Sequence, residues 1–184
     1  MYRPLPIKEM LEAFVYVDEA ECWKNGFHMR GGLLRLSTGE IVLGSLTGDK
    51  RSRAVFGFKS RTIWHLSRAI YGLHFGDPEN FMVDHRDGDH SHNRIGNLRL
   101  ATNSQNQMNR KTARPGSASP YIGVVQRGLF WGAFSSEKGN PVHLGDFPTA
   151  FDAAVVRDNF VEKKYGEYAT LNRDLFPIDF GVSE

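Results

Sequence analysis

Residues 83–109 read VDHRDGDHSHNRIGNLRLATNSQNQMN, and the order of residue types in this stretch decides the fold. Phe81 to His85 is a short apolar run that reads as a strand and delivers Asp84 and His85 to the head of a loop. Arg86 to Gly96 is polar and contains glycine, the composition of a surface loop in which His90 and His92 read as solvated residues, with contact to a metal or a phosphate as the alternative. Asn97 to Ala101, NLRLA, reads as the returning strand. Thr102 followed by Gln105 forms a capping-box pattern and predicts a helix over 103–110, with Asn106 one turn in and facing the loop.

These residue types match the needs of phosphodiester hydrolysis: an activated water, neutralisation of charge on the phosphorane, and help for the departing oxygen. An imidazole with an ordinary pKa near about 6.5 is neutral at physiological pH and can take a proton from water, which suits His85 as a base. Asp84 is a hard oxygen ligand suited to Mg²⁺ or Mn²⁺, and the carbonyl oxygen of Asn106 is a second. Two such ligands leave most of an octahedral shell to water and substrate. Asn97, across the hairpin, is placed to hold the imidazole of His85.

The run resembles the H-N-H endonucleases, in particular the phage and intron-encoded homing branch. The matching residues are Asp84-His85, Asp87-Gly88-Asp89, Asn93, Asn97-Leu98-Arg99, Ala101-Thr102, Asn106 and Asn109. The resemblance implies a ββα-metal fold, His85 as general base, Asp84 and Asn106 as ligands of one divalent ion, and Asn97 as the residue orienting the base. It also implies products with 5′-phosphate and 3′-hydroxyl ends. His92 stands where relatives often carry a small amide or acid. The rival reading is a non-catalytic DNA-binding regulator with a vestigial nuclease fold, disfavoured by the joint presence of Asp84, His85 and Asn106; an RNA-directed nuclease is a third.

Composition narrows the field. A chain of 184 residues accommodates two small modules, and the single cysteine, Cys22, excludes an internal disulfide and any multi-cysteine zinc cluster. The formal net charge is only +2, but residues 1–22 carry two basic and five acidic side chains, so the basic surplus lies in the later segments. No apolar run approaches the roughly 20 residues needed to span a bilayer. MYRPLPIKEMLEAF lacks the pattern of a signal peptide, so the expected location is the cytoplasm, and both monomer and homodimer stay open.

Ahead of the central stretch, Ile7 to Phe14 has helical spacing, 31–57 reads as one small antiparallel sheet, and Ser60 to Leu73 reads as an amphipathic helix whose end is weakened by Gly72. Behind it, KTARPGSAS over 111–119 has the composition of a linker. Strand-like runs follow at 121–126, 130–135 and 142–146, then a helix starting at Pro148 or Thr149 and ending before Gly166. This segment resembles the ethylene-response-factor (APETALA) DNA-binding domain on Tyr121, Gly123, Val124, Trp131, Ala133, Leu144-Gly145, Phe147, Ala150, Ala153, Ala154, Asp158 and Leu171-Asn172. The resemblance implies a sheet that enters the major groove, with Gln126, Arg127, Trp131 and Lys138 as candidate contacts. Lys111 and Arg114 in the linker are candidate phosphate contacts.

The expected fold class is α+β. Residues 1–110 form a nuclease domain with a ββα-metal core at 81–110 and a small antiparallel sheet and helices around it. A linker over 111–119 leads to a three-stranded antiparallel sheet packed on one helix over 120–172, and 173–184 is a tail. The expected function is hydrolysis of double-stranded DNA with one Mg²⁺ or Mn²⁺ per site and no structural zinc.

Overall fold

The computed structural model describes residues 3–18, 31–42, 45–46, 54–58, 63–113 and 115–181. The chain divides into two compact units, Met1–Leu100 and Ala101–Glu184. Among the described residues, no helix is long and apolar enough to cross a membrane.

In the first unit, α1 (Ile7–Ala13) runs directly into β1 (Phe14–Val17), which pairs antiparallel with β2 (Gly32–Arg35); β3 (Ile41–Val42) completes that sheet. A second antiparallel sheet holds β4 (Ser45–Leu46), β5 (Ala54–Gly57) and β6 (Ile63–His65). The single sheet expected over 31–57 is therefore two, each extended by a strand from outside that range. α2 (Leu66–Phe75) starts later than expected because Ile63-Trp64-His65 is extended, while 60–62 lie outside the described residues.

α2 runs on past Gly72 to Phe75. A Cβ at Gly72 would come 2.6 Å from Leu5 Cδ1 and 2.8 Å from Ile7 Cδ1, so its bareness lets the start of the chain lie against the helix. Met10, Phe14, Leu33, Leu66, Ala69 and Ile70 form the core of this unit, and Leu98 is buried with them. Val83 and Ile95 pack on the same cluster, which anchors both arms of the central hairpin. The Asp77 carboxylate accepts from the Leu5 amide at 2.9 Å, from Arg68 Nη2 at 2.8 Å and from the Glu79 amide at 3.1 Å, tying α1, α2 and the approach to the hairpin together.

The hairpin itself pairs β7 (Met82–His85) with β8 (Leu98–Ala101), entered through a 3₁₀ turn, Ile95–Asn97. Next in the chain is α3 (Asn103–Met108), opened by the expected capping box: Gln105 N donates to Thr102 Oγ1 at 3.3 Å and Thr102 N to Gln105 Oε1 at 2.8 Å. The helix stops at Met108, short of the expected 110.

In the second unit β9 (Val124–Arg127), β10 (Phe130–Glu137) and β11 (Asn140–Phe147) form an antiparallel sheet with β10 central. α4 (Ala150–Tyr165) backs it, capped where Asp152 N donates to Thr149 Oγ1 at 3.1 Å. Ala153 and Ala154 are buried against Val124 and Ala133; their small side chains let helix and sheet approach closely. The long β10–β11 hairpin turns at Lys138-Gly139, both at positive φ (50° and 86°), the handedness that tight hairpins favour.

A buried polar clamp closes this unit. Asn172 Oδ1 accepts from Ile122 N at 2.7 Å, while its Nδ2 donates to Ile122 O at 3.2 Å and to Asp158 Oδ1 at 3.0 Å. Asn172 opens α5 (Asn172–Leu175), so the clamp joins the approach to β9, the middle of α4 and the closing turn. Met108 of α3 is buried with Val161 and Leu171, and Thr170 N donates to Met108 O at 2.9 Å. α3 thus packs with the second unit, and the division at Leu100/Ala101 falls upstream of 111–119, the stretch expected to hold the boundary.

Candidate active site

Asp84 and His85 close β7 and are each only 3 % exposed, because Val83 and Leu98 pin the hairpin to the core. His85 Nε2 lies 3.1 Å from Asn93 Oδ1. The Asn93 amide is oriented by its other end, where Nδ2 donates to Ser91 O at 3.4 Å, so the oxygen faces the ring and Nε2 carries the proton. In the neutral imidazole the lone pair is then on Nδ1, which faces His90 Nδ1 at 3.4 Å.

Burial pulls the His85 pKa below its ordinary value and wins over the raising effects of the Asn93 hydrogen bond and of the Asp87 and Asp84 charges; His90 lowers it further. The neutral ring, with its lone pair on Nδ1 beside His90, is therefore favoured at physiological pH. Asp84 Oδ2 accepts from Arg99 Nε at 3.0 Å and lies 2.9 Å from Arg99 Nη2, an ion pair between β7 and β8 with both side chains nearly inaccessible. This guanidinium fixes how the carboxylate is turned.

Asn97 does a different job from the expected one. Because it ends the 3₁₀ turn instead of opening an extended strand, its amide meets the loop backbone. Oδ1 accepts from Asp87 N at 3.2 Å, and Nδ2 donates to Asp87 Oδ1 at 2.9 Å and to His92 O at 2.8 Å. Asn97 staples the loop that carries Asn93, and Asn93 is the residue seen on the imidazole.

The loop is no loose surface excursion. Asp87 Oδ1 accepts from Asp89 N at 2.9 Å, and Asp89 Oδ1 from Ser91 N at 2.9 Å and Ser91 Oγ at 2.7 Å, two successive side-chain-closed turns. His90 and His92, expected to be solvated, are half-buried, and His92 Nδ1 lies 2.5 Å from Asp87 Oδ2. Burial pushes the Asp87 pKa up, yet the hydrogen bonds from Asn97, Asp89 and His92 together hold it below the ordinary carboxylate value. Gly31, at φ +97°, brings the backbone against this loop: a Cβ there would meet the Asn93 carbonyl oxygen at 2.7 Å.

Asn106 sits half-buried in the middle of α3, in the second unit. Among the described residues, no group of three or more His, Cys, Asp or Glu gathers as a metal cage. Asn93 and Arg99, matched in the resemblance, were given no role by sequence reasoning. Both stand in the motif, but no spacing rule says that the first meets the ring or the second the carboxylate.

On the second unit, Gln126, Lys138 and Lys111 are exposed. Arg127 is exposed too, but its Nη1 lies 3.3 Å from both Asp146 oxygens, and His143 Nε2 lies 3.1 Å from Asp146 Oδ1. Trp131, a candidate DNA contact for which core packing is the alternative, pairs with Phe147 and packs with it on the core between sheet and α4. Strand parity is the reason, since Trp131 shares its face with Ala133. Arg114 lies outside the described residues.

A family model described as HNH endonuclease matches residues 65–108. The match begins at the last residue of β6 and runs to the end of α3, so it takes in α2, the hairpin, the His85 loop and Asn106. No curated protein and no solved structure matches the chain.

Proposed function

We propose that this protein is a metal-dependent endonuclease that hydrolyses phosphodiester bonds of double-stranded DNA. The observation that carries the proposal is the placement of His85: a buried imidazole whose Nε2 lies 3.1 Å from Asn93 Oδ1, within the residues that the HNH endonuclease model matches; burial lowers its pKa and so favours a neutral ring with Nδ1 as the base.

His85 Nδ1 takes the proton of the attacking water. Nε2–H stays donated to Asn93 Oδ1, so the ring holds its orientation as it becomes charged, and the Asp87 and Asp84 carboxylates stabilise that charge. Asp84, turned by Arg99, and Asn106 are the proposed donors to one Mg²⁺ or Mn²⁺. A carboxylate and an amide oxygen fit a hard ion that keeps most of its water shell, and do not fit a closed cage. When bound, such an ion supplies charge neutralisation on the scissile phosphate and the departing oxygen. Asn97 keeps the loop closed around the base.

The second unit is proposed to hold the DNA. A three-stranded antiparallel sheet on one helix, and the Asp158–Asn172 clamp at residues that carry the ethylene-response-factor resemblance, support this reading. Gln126, Lys138 and Lys111 supply polar and cationic contacts, whereas Arg127 must first leave Asp146. One observation favours the rival reading, a DNA-binding regulator: the Asp84 carboxylate is already neutralised by Arg99.

Cleavage of supercoiled plasmid with Mg²⁺, with EDTA, and by His85→Ala separates the two. The nuclease reading expects cleavage that needs Mg²⁺ and is lost in His85→Ala while gel-shift binding survives. Binding without cleavage on every metal and target tried would establish the regulator.

A further inference from the structure

We propose that the outer face of the β9–β10 hairpin binds unpaired bases of single-stranded DNA, with Phe130 as the stacking platform and Arg127 as the phosphate contact. This rests on the reading of the second unit as the part that holds DNA, and it names the form of DNA that the unit takes. Strand register defines the face. Val124 and Ala133 are buried under α4, so Val125, Arg127, Phe130 and Phe134 emerge on the opposite side. The bare Gly132 gives the same face. A Cβ there would meet Phe134 Cε2 at 2.7 Å, Arg127 Cδ at 3.0 Å and Asp146 Oδ1 at 3.1 Å, so all three side chains lie over that side of the sheet.

The face carries apolar surface that folding does not call for. Phe130 is 52 % exposed, Val125 48 %, and Leu129, in the two-residue turn between the strands, 91 %. Among the described residues no other aromatic ring meets Phe130, whereas Phe134 on the same strand is already stacked on His143, with centroids 4.8 Å apart and planes at 29°. A large ring left uncovered beside a leucine and a valine is a surface for a flat apolar partner.

Charge decides which partner. From Pro120 to Ser136 the only charged side chain is Arg127, so the hairpin is cationic and free of acids. Over 101–184, however, nine basic and nine acidic side chains balance. A double helix carries about one phosphate charge per 1.7 Å of its axis and hides its base faces within the stack, so it demands cationic surface that this unit lacks and leaves Phe130 unused. An unpaired strand is the reverse case: its bases offer their π-faces, and stacking on an aromatic side chain holds them with few cations. Arg127 and Phe130 are directly paired across the two strands, so cation and ring stand side by side, as an alternation of phosphate and base requires. The Arg127 guanidinium rests on Asp146 at 3.3 Å with the two side chains 50 % and 40 % exposed, an ion pair of little strength. A phosphate can replace the carboxylate, which keeps His143 Nε2 at 3.1 Å as its partner.

The test uses the full-length protein in EDTA, which separates binding from cleavage, and fluorescence anisotropy with a short labelled oligothymidylate and a duplex of equal length. The expected result is tighter binding of the single strand. Phe130→Ala should weaken it by about 5–150-fold, the span of one lost base stack, and by the same factor at every salt concentration. Phe130→Tyr keeps a ring and should bind like the unaltered protein. Arg127→Met should instead flatten the salt dependence, since one phosphate contact fewer releases fewer counterions. Should Phe130→Ala fail to fold, as circular dichroism would reveal, Leu129→Ser repeats the comparison at a side chain that is 91 % exposed. A duplex held as tightly as the single strand, unchanged affinity in Phe130→Ala, or a loss that Phe130→Tyr shares overturns the site. So does self-association in sedimentation that Phe130→Ala abolishes, which makes a second copy the occupant, and so does tighter binding of oligouridylate, which makes it RNA. Binding as expected by a protein that never cuts plasmid refutes the endonuclease reading alone, and cleavage by a protein whose binding ignores Phe130→Ala refutes this site alone.

Discussion

Replacing Asn93 by Ala removes the Oδ1 that lies 3.1 Å from His85 Nε2 and accepts its N–H. With His85 3 % exposed, bulk water does not take its place, and an orphaned buried N–H costs about 1–3 kcal/mol of stability. The catalytic loss is separate. Without its acceptor the ring loses a preferred orientation, and the proton is no longer confined to Nε2. Losing about 1.4 kcal/mol of such positioning is about tenfold in rate. Deleting a general base outright costs about 10²–10⁴-fold, so Asn93→Ala should fall between the unaltered protein and His85→Ala. Urea denaturation reads the first effect and single-turnover plasmid nicking at saturating Mg²⁺ the second. Asn93→Asp supplies a readout that a merely structural role would not move: a carboxylate against Nε2–H raises the His85 pKa, so the acid limb of the pH–rate profile moves to higher pH. A normal rate and stability in Asn93→Ala, together with an unmoved acid limb in Asn93→Asp, would refute the assignment of Asn93 as the residue that holds the base.

Arg99→Met leaves the Asp84 carboxylate buried without its cation and should cost about 3–5 kcal/mol in urea denaturation, much of it regained in Asp84→Asn/Arg99→Met; additive losses would argue against the pair. Because the folded pKa of His85 lies below its unfolded value near about 6.5, neutral His85 contributes stability that is fully present above that value and lost as pH falls through the folded pKa. Stability of the chelated protein should therefore drop with acidification more steeply than that of His85→Ala, and equal pH dependence would contradict the burial effect. Deleting residues 112–184 removes Val161 and Leu171 from Met108, and an isolated helix of six residues is not stable in water, so the truncated chain should lose the helicity of α3 and with it cleavage. A truncated chain that still cleaves at the full rate would show that α3 needs no support from residues 112–184.

Much of the architecture was legible in local patterns. The capping box at Thr102–Gln105 marked the start of α3, the turn residues at Gly128 and Gly139 separated three strands, and Thr149 and Gly166 bracketed α4. Each is encoded by neighbours within a few residues and needs no knowledge of the rest of the chain. Where expectations slipped, long-range contact was the cause. Gly72 looks like a helix breaker until Leu5 and Ile7 are found lying on it. The Pro-Gly-Ser stretch over 111–119 looks like a boundary until Met108 is found buried with Val161 and Leu171.

By itself the sequence determined the strand–loop–strand–helix order of 81–108 and placed Asp84 and His85 at the end of a strand, because side-chain periodicity, caps and turns are short-range properties of the chain. Only the tertiary structure decided that Asn93 and not Asn97 meets the imidazole, that Arg99 faces Asp84, that Trp131 turns to the core, and that His90 stands beside His85. Those outcomes depend on the face from which a side chain emerges and on what covers it from far along the chain. Desolvation favours the neutral form of the His85 imidazole, and burial is a property of the fold that no single stretch of residues carries.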